Sequence, residues 1–179
     1  MTFSPVGKDT EDTIQNEELE PAVRILSSDG VTSEDPLTRK HSLFLLGTTG
    51  DPSYSAILIR SLYDPEKGVR SQAALALARI GDPVVPDVID LLRDRNWKVR
   101  YRAAEVLGLI RSREALRPLV ETLSDEKDHV RYMAAKSLGM IKDPAALQPL
   151  RKCVSDPNPF VRKIVAESIH ALERVEIAG

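Results

Sequence analysis

The side chains that most often carry enzyme chemistry are few in this sequence and are not grouped. The histidines His41, His129 and His170 lie far apart, so none forms the closely spaced helical pair that a metal site needs. The single cysteine, Cys153, stands beside Val154, and we interpret it as a packed thiol. No glycine-rich phosphate loop or nucleophile motif occurs. The sequence predicts no metal and no cofactor, and it favours a non-enzymatic protein while leaving activity open.

A run of basic and aromatic residues is the clearest candidate for binding chemistry. Trp97 and Tyr101 stand among five basic residues: Arg93, Arg95, Lys98, Arg100 and Arg102. Such a mixture is typical of nucleic-acid binding, in which basic side chains neutralise the phosphates and aromatic side chains stack on the nucleobases. Asp94 interrupts the run, and residues 37–179 have only a small positive charge, from 23 basic and 18 acidic residues. Nucleic acid therefore stays an alternative partner that we do not favour.

The charge of the first 36 residues has the opposite sign, with nine acidic and two basic side chains. Residues 1–16 have no apolar period, and we predict that they form a disordered acidic leader rather than a signal peptide. No run of 18 apolar residues occurs, so no membrane span is predicted. The single cysteine does not suggest an oxidising compartment. We predict a cytoplasmic protein.

The elements that position these side chains follow a repeat of about 31 residues. Each copy has an Asp six residues before the Arg of a Val-Arg pair, and successive pairs are 30, 31 and 31 residues apart. The four copies are Asp64 with Val69-Arg70, Asp94 with Val99-Arg100, Asp125 with Val130-Arg131, and Asp156 with Val161-Arg162. A weaker copy precedes them, with Thr38-Arg39 standing 31 residues before Val69-Arg70.

Apolar residues after each Val-Arg pair recur with the 3.6-residue period of a helix. An Ala pair is followed by Leu and Ile, as in Ala103, Ala104, Leu107 and Ile110, and small side chains of this kind allow helices to pack closely. A second apolar stretch precedes each Asp, so each copy predicts two antiparallel helices. The predicted fold is all-α, an α-solenoid of about five helix pairs over residues 17–179. Its repeats span about 17–50, 53–81, 84–112, 114–142 and 145–175.

The pattern Asp-x5-Val-Arg-x2-Ala-Ala-x2-Leu-Gly-x-Ile resembles the HEAT repeat, in the short variety typified by phycobilisome-lyase-like repeats. The resemblance covers about residues 17–175. It implies a superhelix in which the second helix of each pair lines the concave face. It also implies a hydrogen-bonded ladder of Asp and Arg from successive repeats. Carried over, the ladder residues are Asp64, Arg70, Asp94, Arg100, Asp125, Arg131, Asp156 and Arg162, while the rung of the first copy is in doubt.

Positions two, three, six and ten after each Val are expected to face the concave surface if the Ala, Leu and Ile positions form the core. In the two central copies they bring tyrosines, methionines and bases together. The candidate binding residues are Tyr101, Arg102, Leu109, Tyr132, Met133, Lys136 and Met140. Tyr and Arg are frequent anchors of protein interfaces, and Met adapts to varied partners.

Three functions remain open at this point. A scaffold that binds a protein partner in the concave groove is favoured, because solenoids present extended surfaces. The resemblance also suggests a bilin lyase-type protein acting on phycobiliproteins. The third function is nucleic-acid binding, since similar repeats occur in some DNA repair glycosylases. The sequence does not identify the protein partner.

Overall fold

The computed structural model describes residues 30–178, and the regular structure of that part of the chain is entirely helical. Those residues form nine α-helices and no strand. The helix bounds are α1 Pro36–Thr49, α2 Ser55–Arg60, α3 Lys67–Ile80, α4 Val85–Asp90, α5 Trp97–Ile110, α6 Leu116–Thr122, α7 Asp128–Ile141, α8 Leu147–Arg151 and α9 Pro159–Ala178. The predicted all-α class is confirmed.

Short and long helices alternate in the order expected of stacked pairs. Each short helix, α2, α4, α6 and α8, follows a 3-10 turn and packs on the long helix after it. The long helices α1, α3, α5, α7 and α9 pack on one another in chain order, which makes the solenoid. The predicted leader and the first helix of the first repeat lie outside the described residues. Between residues 30 and 178, no helix has both the length and the apolar character needed to cross a membrane.

The interior is a seam of small and branched aliphatic side chains. Ala103, Ala104 and Leu107 are fully buried, as are Ala134, Ala135 and Leu138 in the next repeat. Aromatic residues make up only 4% of the sequence. A thin layer between helices has little room for large rings, and the alanines allow the helix axes to approach.

The glycine of a Leu-Gly step, present in three of the five repeats as Gly47, Gly108 and Gly139, permits this close approach. A Cβ added to Gly108 would lie 2.4 Å from Ser137 Oγ and 2.9 Å from Ser137 Cα. Gly139 meets Ser168 in the same way. The buried Ser137 hydroxyl donates a 2.7 Å hydrogen bond to Ala104 O in the preceding long helix. The glycine and serine therefore fix the spacing between neighbouring long helices.

An Asp begins the turn before each long helix and makes two kinds of contact. Its carboxylate accepts the backbone N–H two residues later, at 2.7 Å for Asp94 and 2.8 Å for Asp64, Asp125 and Asp156. Three of these carboxylates also accept two hydrogen bonds from an Arg of the preceding repeat. The rungs are Arg39 with Asp64 at 2.7 and 3.0 Å, Arg100 with Asp125 at 2.6 and 2.9 Å, and Arg131 with Asp156 at 2.7 and 3.0 Å.

The first copy, whose rung was in doubt, thus contributes one through Arg39. The rung expected between Arg70 and Asp94 does not form. Asp94 instead accepts a 2.5 Å hydrogen bond from the Tyr63 hydroxyl, which raises the pKa of Tyr63 to about 12. Arg162 donates to the backbone of its own repeat and makes no ion pair with the described residues.

The missing rung coincides with a turn that is one residue shorter than the others. Elsewhere one residue with positive φ ends the long helix and a second residue precedes the next 3-10 turn, as in Arg111-Ser112 and Lys142-Asp143. Gly81 alone fills both places, with φ 81° and ψ −142°, a conformation that favours glycine. This shortens the spacing to 30 residues, so Asp94 is 24 positions after Arg70, whereas the three formed rungs join residues 25 positions apart.

The ladder should make the free energy of unfolding depend on pH. The hydrogen bonds from Arg131 hold the pKa of Asp156 below its ordinary value. A carboxyl group whose pKa is depressed by folding stabilises the protein above its unfolded pKa, and the stabilisation is lost as pH falls through the folded pKa. We expect Asp156→Asn to be less stable than wild type at pH 7 and the difference to shrink below about pH 4. Urea unfolding between pH 7 and pH 3 measures this, and a constant difference would contradict it.

Candidate functional site

Two adjoining cavities lie at the N-terminal ends of the central long helices. The first, which we call the basic cavity, has a volume of about 340 Å³. It is lined by Lys67, Arg70, Trp97, Lys98, Tyr101, Arg102 and His129. The second, the aromatic cavity, has about 430 Å³ and is lined by Tyr101, Asp128, His129, Tyr132, Asn158, Phe160 and Val161. Tyr101 and His129 line both, so the cavities adjoin along one surface.

The wall between the cavities is held by contacts between repeats. The His129 ring lies 5.4 Å from the Trp97 ring, tilted by 46°, and its Nδ1 is 2.8 Å from Asp128 Oδ1. Asn158 of the next repeat donates to the other carboxylate oxygen of Asp128. The hydrogen bond with the His129 ring is the main cause that holds the pKa of Asp128 below its ordinary value. Trp97 therefore packs against the next repeat, and the same ring also faces a cavity.

Tyr101 and Arg102 form a second part of this wall. The Arg102 guanidinium lies 5.2 Å from the centre of the Tyr101 ring and is paired with Glu105 on the same helix. Burial raises the pKa of the Tyr101 hydroxyl, and the nearby Glu105 carboxylate adds to the effect. A half-buried Tyr with a neutral hydroxyl can contact an apolar group and still donate a hydrogen bond.

The candidate binding residues separate into three groups. Tyr101, Arg102 and Tyr132 line the cavities. Met133 is only 3% exposed and belongs to the core, so it presents almost no surface to a partner. Leu109, Lys136 and Met140 lie further along the same helices: Leu109 and Lys136 are exposed and Met140 is half-buried.

Met133 is buried in the same way as its counterparts in other repeats. The third residue after the Val of the Val-Arg pair is buried in repeats two to five, as Gln72, Arg102, Met133 and Ile164. Side chains at this position are largely covered, which corrects the expectation that they face a partner; Arg102 lines the basic cavity but is itself only 6% exposed. In the first repeat the equivalent residue, His41, is exposed.

Sequence reasoning did not bring four members of the basic cavity together: Lys67 and His129 were not assigned to a site, Lys98 was considered only in the basic run for nucleic acid, and Arg70 was assigned only to the ladder. These residues come from three repeats: Lys98 and His129 directly precede the Val of their repeats, whereas Lys67 stands two residues before its Val and Arg70 one after it. The available signal was the 30-residue spacing at Arg70, which distinguishes its repeat from the others.

The basic run between Arg93 and Arg102 is largely neutralised by carboxylates. Arg93 pairs with Glu121 at 3.1 Å, Arg100 with Asp125, and Arg102 with Glu105. Arg95 and Lys98 are exposed. Three of five charges already have partners, which leaves a weak field for phosphates.

Chemistry-bearing groups elsewhere are not assembled into a catalytic or metal site within the described residues. Cys153 Sγ is 3.6 Å from Pro149 O, and burial raises the pKa of its thiol, which disfavours the reactive thiolate. No group of three or more His, Cys, Asp or Glu side chains arranged for a metal ion occurs between residues 30 and 178.

Comparison with known proteins places the chain among repeat solenoids. The family model for HEAT repeats matches residues 26–94 and 85–170. No curated protein matches the chain in sequence.

Solved structures give the same architecture at low sequence identity. The complex of CpcE and CpcF of phycocyanin lyase from Nostoc sp. PCC7120 is similar with a TM-score of 0.64 and 20% identity; the match covers 87% of this chain and 66% of that chain, just under two thirds. Human deoxyhypusine hydroxylase in complex with glycerol has a TM-score of 0.54, 20% identity and coverage of 87% and 75%. A designed armadillo repeat protein in complex with the peptide (KR)4 has a TM-score of 0.52, 19% identity and coverage of 90% and 84%. At this identity the likeness concerns the fold alone.

Proposed function

Because this chain belongs to the HEAT-repeat family, we propose that it is a non-enzymatic scaffold that binds a segment of a protein partner along its long helices. The adjoining cavities at Tyr101 carry the proposal, since they combine half-buried rings with polar groups in a continuous surface. A protein interface typically has aromatic and Arg anchors at its centre, surrounded by weaker contacts.

Exposed apolar residues extend this surface beyond the cavities. Phe44 and Leu75 are 42% and 43% exposed, and Leu109 is 38% exposed. In three successive repeats they stand six or ten residues after the Val of the Val-Arg pair, or after the equivalent Thr38 in the first repeat. The Arg79 guanidinium lies 5.1 Å from the Phe44 ring centre. A surface that runs over several repeats suits an extended or helical segment better than a small ligand.

The similar solved structures are compatible with this function without assigning a partner. The designed armadillo repeat protein holds the peptide (KR)4, an example of peptide binding by an array of helices. The phycocyanin lyase complex belongs to the class named by the bilin alternative, but a fold likeness at 20% identity carries no ligand over to this chain. Bilin attachment therefore stays an untested alternative.

Replacing the two central tyrosines should weaken partner binding. Peptides of 16 residues selected from a random display library on the immobilised wild-type chain serve as probes. We expect Tyr101→Ala/Tyr132→Ala to bind a selected, synthesised peptide at least about tenfold more weakly, because each change removes an aromatic anchor. Isothermal titration calorimetry measures the affinity, and circular dichroism checks the fold.

The matched control is Leu37→Ala/Val154→Ala, which removes side chains that are 74% and 52% exposed and line neither cavity. This control should bind like wild type. Selection that yields only peptides bound equally by the tyrosine variant would reject the proposed binding face.

A further inference from the structure

We infer that the basic cavity binds the carboxylate of an acidic side chain in the partner segment. This inference rests on the proposed function, because it names the chemistry of the segment that the scaffold holds. It starts from the ladder, which is interrupted at Arg70.

Arg70 is 7% exposed, yet only part of its guanidinium is satisfied. Its Nη1 donates to Asp64 O and Pro65 O, each at 2.6 Å. Within the described residues, its Nε and Nη2 have no acceptor, because Asp94 is bonded to Tyr63 instead. Two free donors of a guanidinium at the wall of a cavity favour the binding of an anion.

The equivalent atoms of the other ladder arginines identify which anion fits. In Arg39, Arg100 and Arg131, Nε and Nη2 bind the two oxygens of one Asp carboxylate at 2.6–3.0 Å. Their Nη1 atoms bind backbone carbonyls, as in Arg70. Arg70 therefore has the arrangement that binds a carboxylate three times elsewhere in this chain, but it faces a cavity in place of an Asp.

The charge of the cavity supports the same assignment. Lys67, Lys98 and Arg102 line it together with Arg70, and no acidic residue is among the lining side chains of the described chain. Arg102 is neutralised by Glu105, which leaves Arg70 and the two exposed lysines to attract an anion. Positive charge on several sides stabilises a carboxylate that is moved out of water.

The aromatic cavity indicates which kind of side chain should lie next to the acidic residue of the partner segment. Tyr101 and His129 separate the two spaces, and Tyr132 and Phe160 line the far side. Phe160 is 71% exposed and free to cover an incoming apolar group. A segment with an acidic side chain close to a Leu or Phe would fill both cavities.

A phosphate is the rival anion, and the ladder argues against it. A nucleic acid would contact the basic run, where three of the five basic residues are already paired with carboxylates. The two-donor arrangement of Arg70 is the one that already binds carboxylates in the sister repeats.

Trp97 provides a direct test because it is the only tryptophan of the chain and lines the basic cavity. Its fluorescence is measured during titration with acetyl-Asp-Glu-Leu-Phe-amide and with the neutral acetyl-Asn-Gln-Leu-Phe-amide, at 50 and 500 mM salt. We expect the acidic peptide to bind about tenfold more tightly at low salt, and the advantage to shrink at high salt.

Variants then assign the effect to Arg70. Arg70→Gln should lose about tenfold in affinity for the acidic peptide and change little toward the neutral one. The matched control is Arg162→Gln, since Arg162 makes the same two carbonyl contacts but lies outside the cavity. If Arg70→Gln fails to fold, Lys67→Gln/Lys98→Gln, which changes two exposed residues, should still weaken the acidic peptide severalfold.

Several outcomes would overturn the inference. Equal affinity for the two peptides, unchanged binding in Arg70→Gln and Lys67→Gln/Lys98→Gln, or no fluorescence response to millimolar acidic peptide would each reject a carboxylate site. Tighter, Arg70-dependent binding of a phosphoserine peptide or an oligo-dT strand would assign the cavity to phosphate. The scaffold proposal fails separately, when library peptides bind the Tyr101→Ala/Tyr132→Ala variant as well as wild type.

Discussion

Asp125→Asn is expected to lower the free energy of unfolding by about 3 kcal/mol, because it leaves a buried guanidinium with only the 3.4 Å contact to the exposed Glu126 carboxylate as counter-charge. Arg100 and Asp125 each expose only 9% of the side chain, and two hydrogen bonds of 2.6 and 2.9 Å join them. The Asn can keep the turn, since the backbone N–H of Lys127 needs only one side-chain oxygen. The loss therefore measures the rung rather than the turn. Urea unfolding at pH 7, followed by circular dichroism, gives the value.

Asp94→Asn is the matched control for this change. Asp94 accepts the same turn hydrogen bond, from Asn96 N at 2.7 Å, but no Arg of the described residues is bonded to it. Its other partner is the exposed Tyr63 hydroxyl, so we expect a loss below about 1 kcal/mol. Equal losses for the two variants would mean that the Arg–Asp rungs do not contribute to stability, and that the interruption at Arg70 has no energetic meaning.

The pairs of helices could be predicted from the sequence because every repeat gives independent evidence for the same pattern. Ala103 and Ala134 stand four residues after their Val, and both are fully buried. The Asp before each Arg also had a predictable place, since a turn that starts a helix favours this side chain. A repeated pattern thus identifies the features that all copies share.

The interruption of the ladder could not be predicted in the same way. It depends on the differences between copies: Gly81 takes the place of two residues, and Tyr63 supplies a hydroxyl in place of an Arg. Averaging over repeats removes such differences. The burial of Met133 was missed for a related reason, because the helical period alone does not show how closely the next long helix approaches. The candidate site therefore lies where the repeat is least regular.

These observations connect the interruption with binding. The rungs at Arg100 and Arg131 are closed by Asp residues of the chain itself, so they add stability and offer no free donors. At Arg70 no carboxylate of the described residues completes the rung, and Nε and Nη2 of its guanidinium stay without an acceptor at the wall of the basic cavity. A partner that supplies the missing carboxylate would complete a contact whose geometry is already arranged, which reduces the entropy cost of binding.

The spacing between long helices leads to the second large effect. Gly108→Ala should lower the free energy of unfolding by about 2 kcal/mol, because its Cβ would stand 2.6 Å from Ser137 Cβ and 2.9 Å from Ser137 Cα. The contact includes backbone, so rotation of a side chain cannot relieve it, and α5 must move away from α7. Movement would also stretch the 2.7 Å hydrogen bond from Ser137 Oγ to Ala104 O. Urea unfolding measures the loss.

Two further variants separate this clash from the ordinary effect of placing alanine in a helix. Gly68→Ala lies in α3 with nothing within 4 Å of the added Cβ, so it should gain about 0.5–1 kcal/mol from helix propensity alone. Ser137→Gly removes the Oγ and Cβ atoms that the new methyl group of Gly108→Ala would meet, and a double-mutant cycle should show a favourable coupling of about 1 kcal/mol or more. If Gly108→Ala stabilises the protein as Gly68→Ala does, the long helices can separate freely, and the close Gly–Ser contact does not hold the repeats in register.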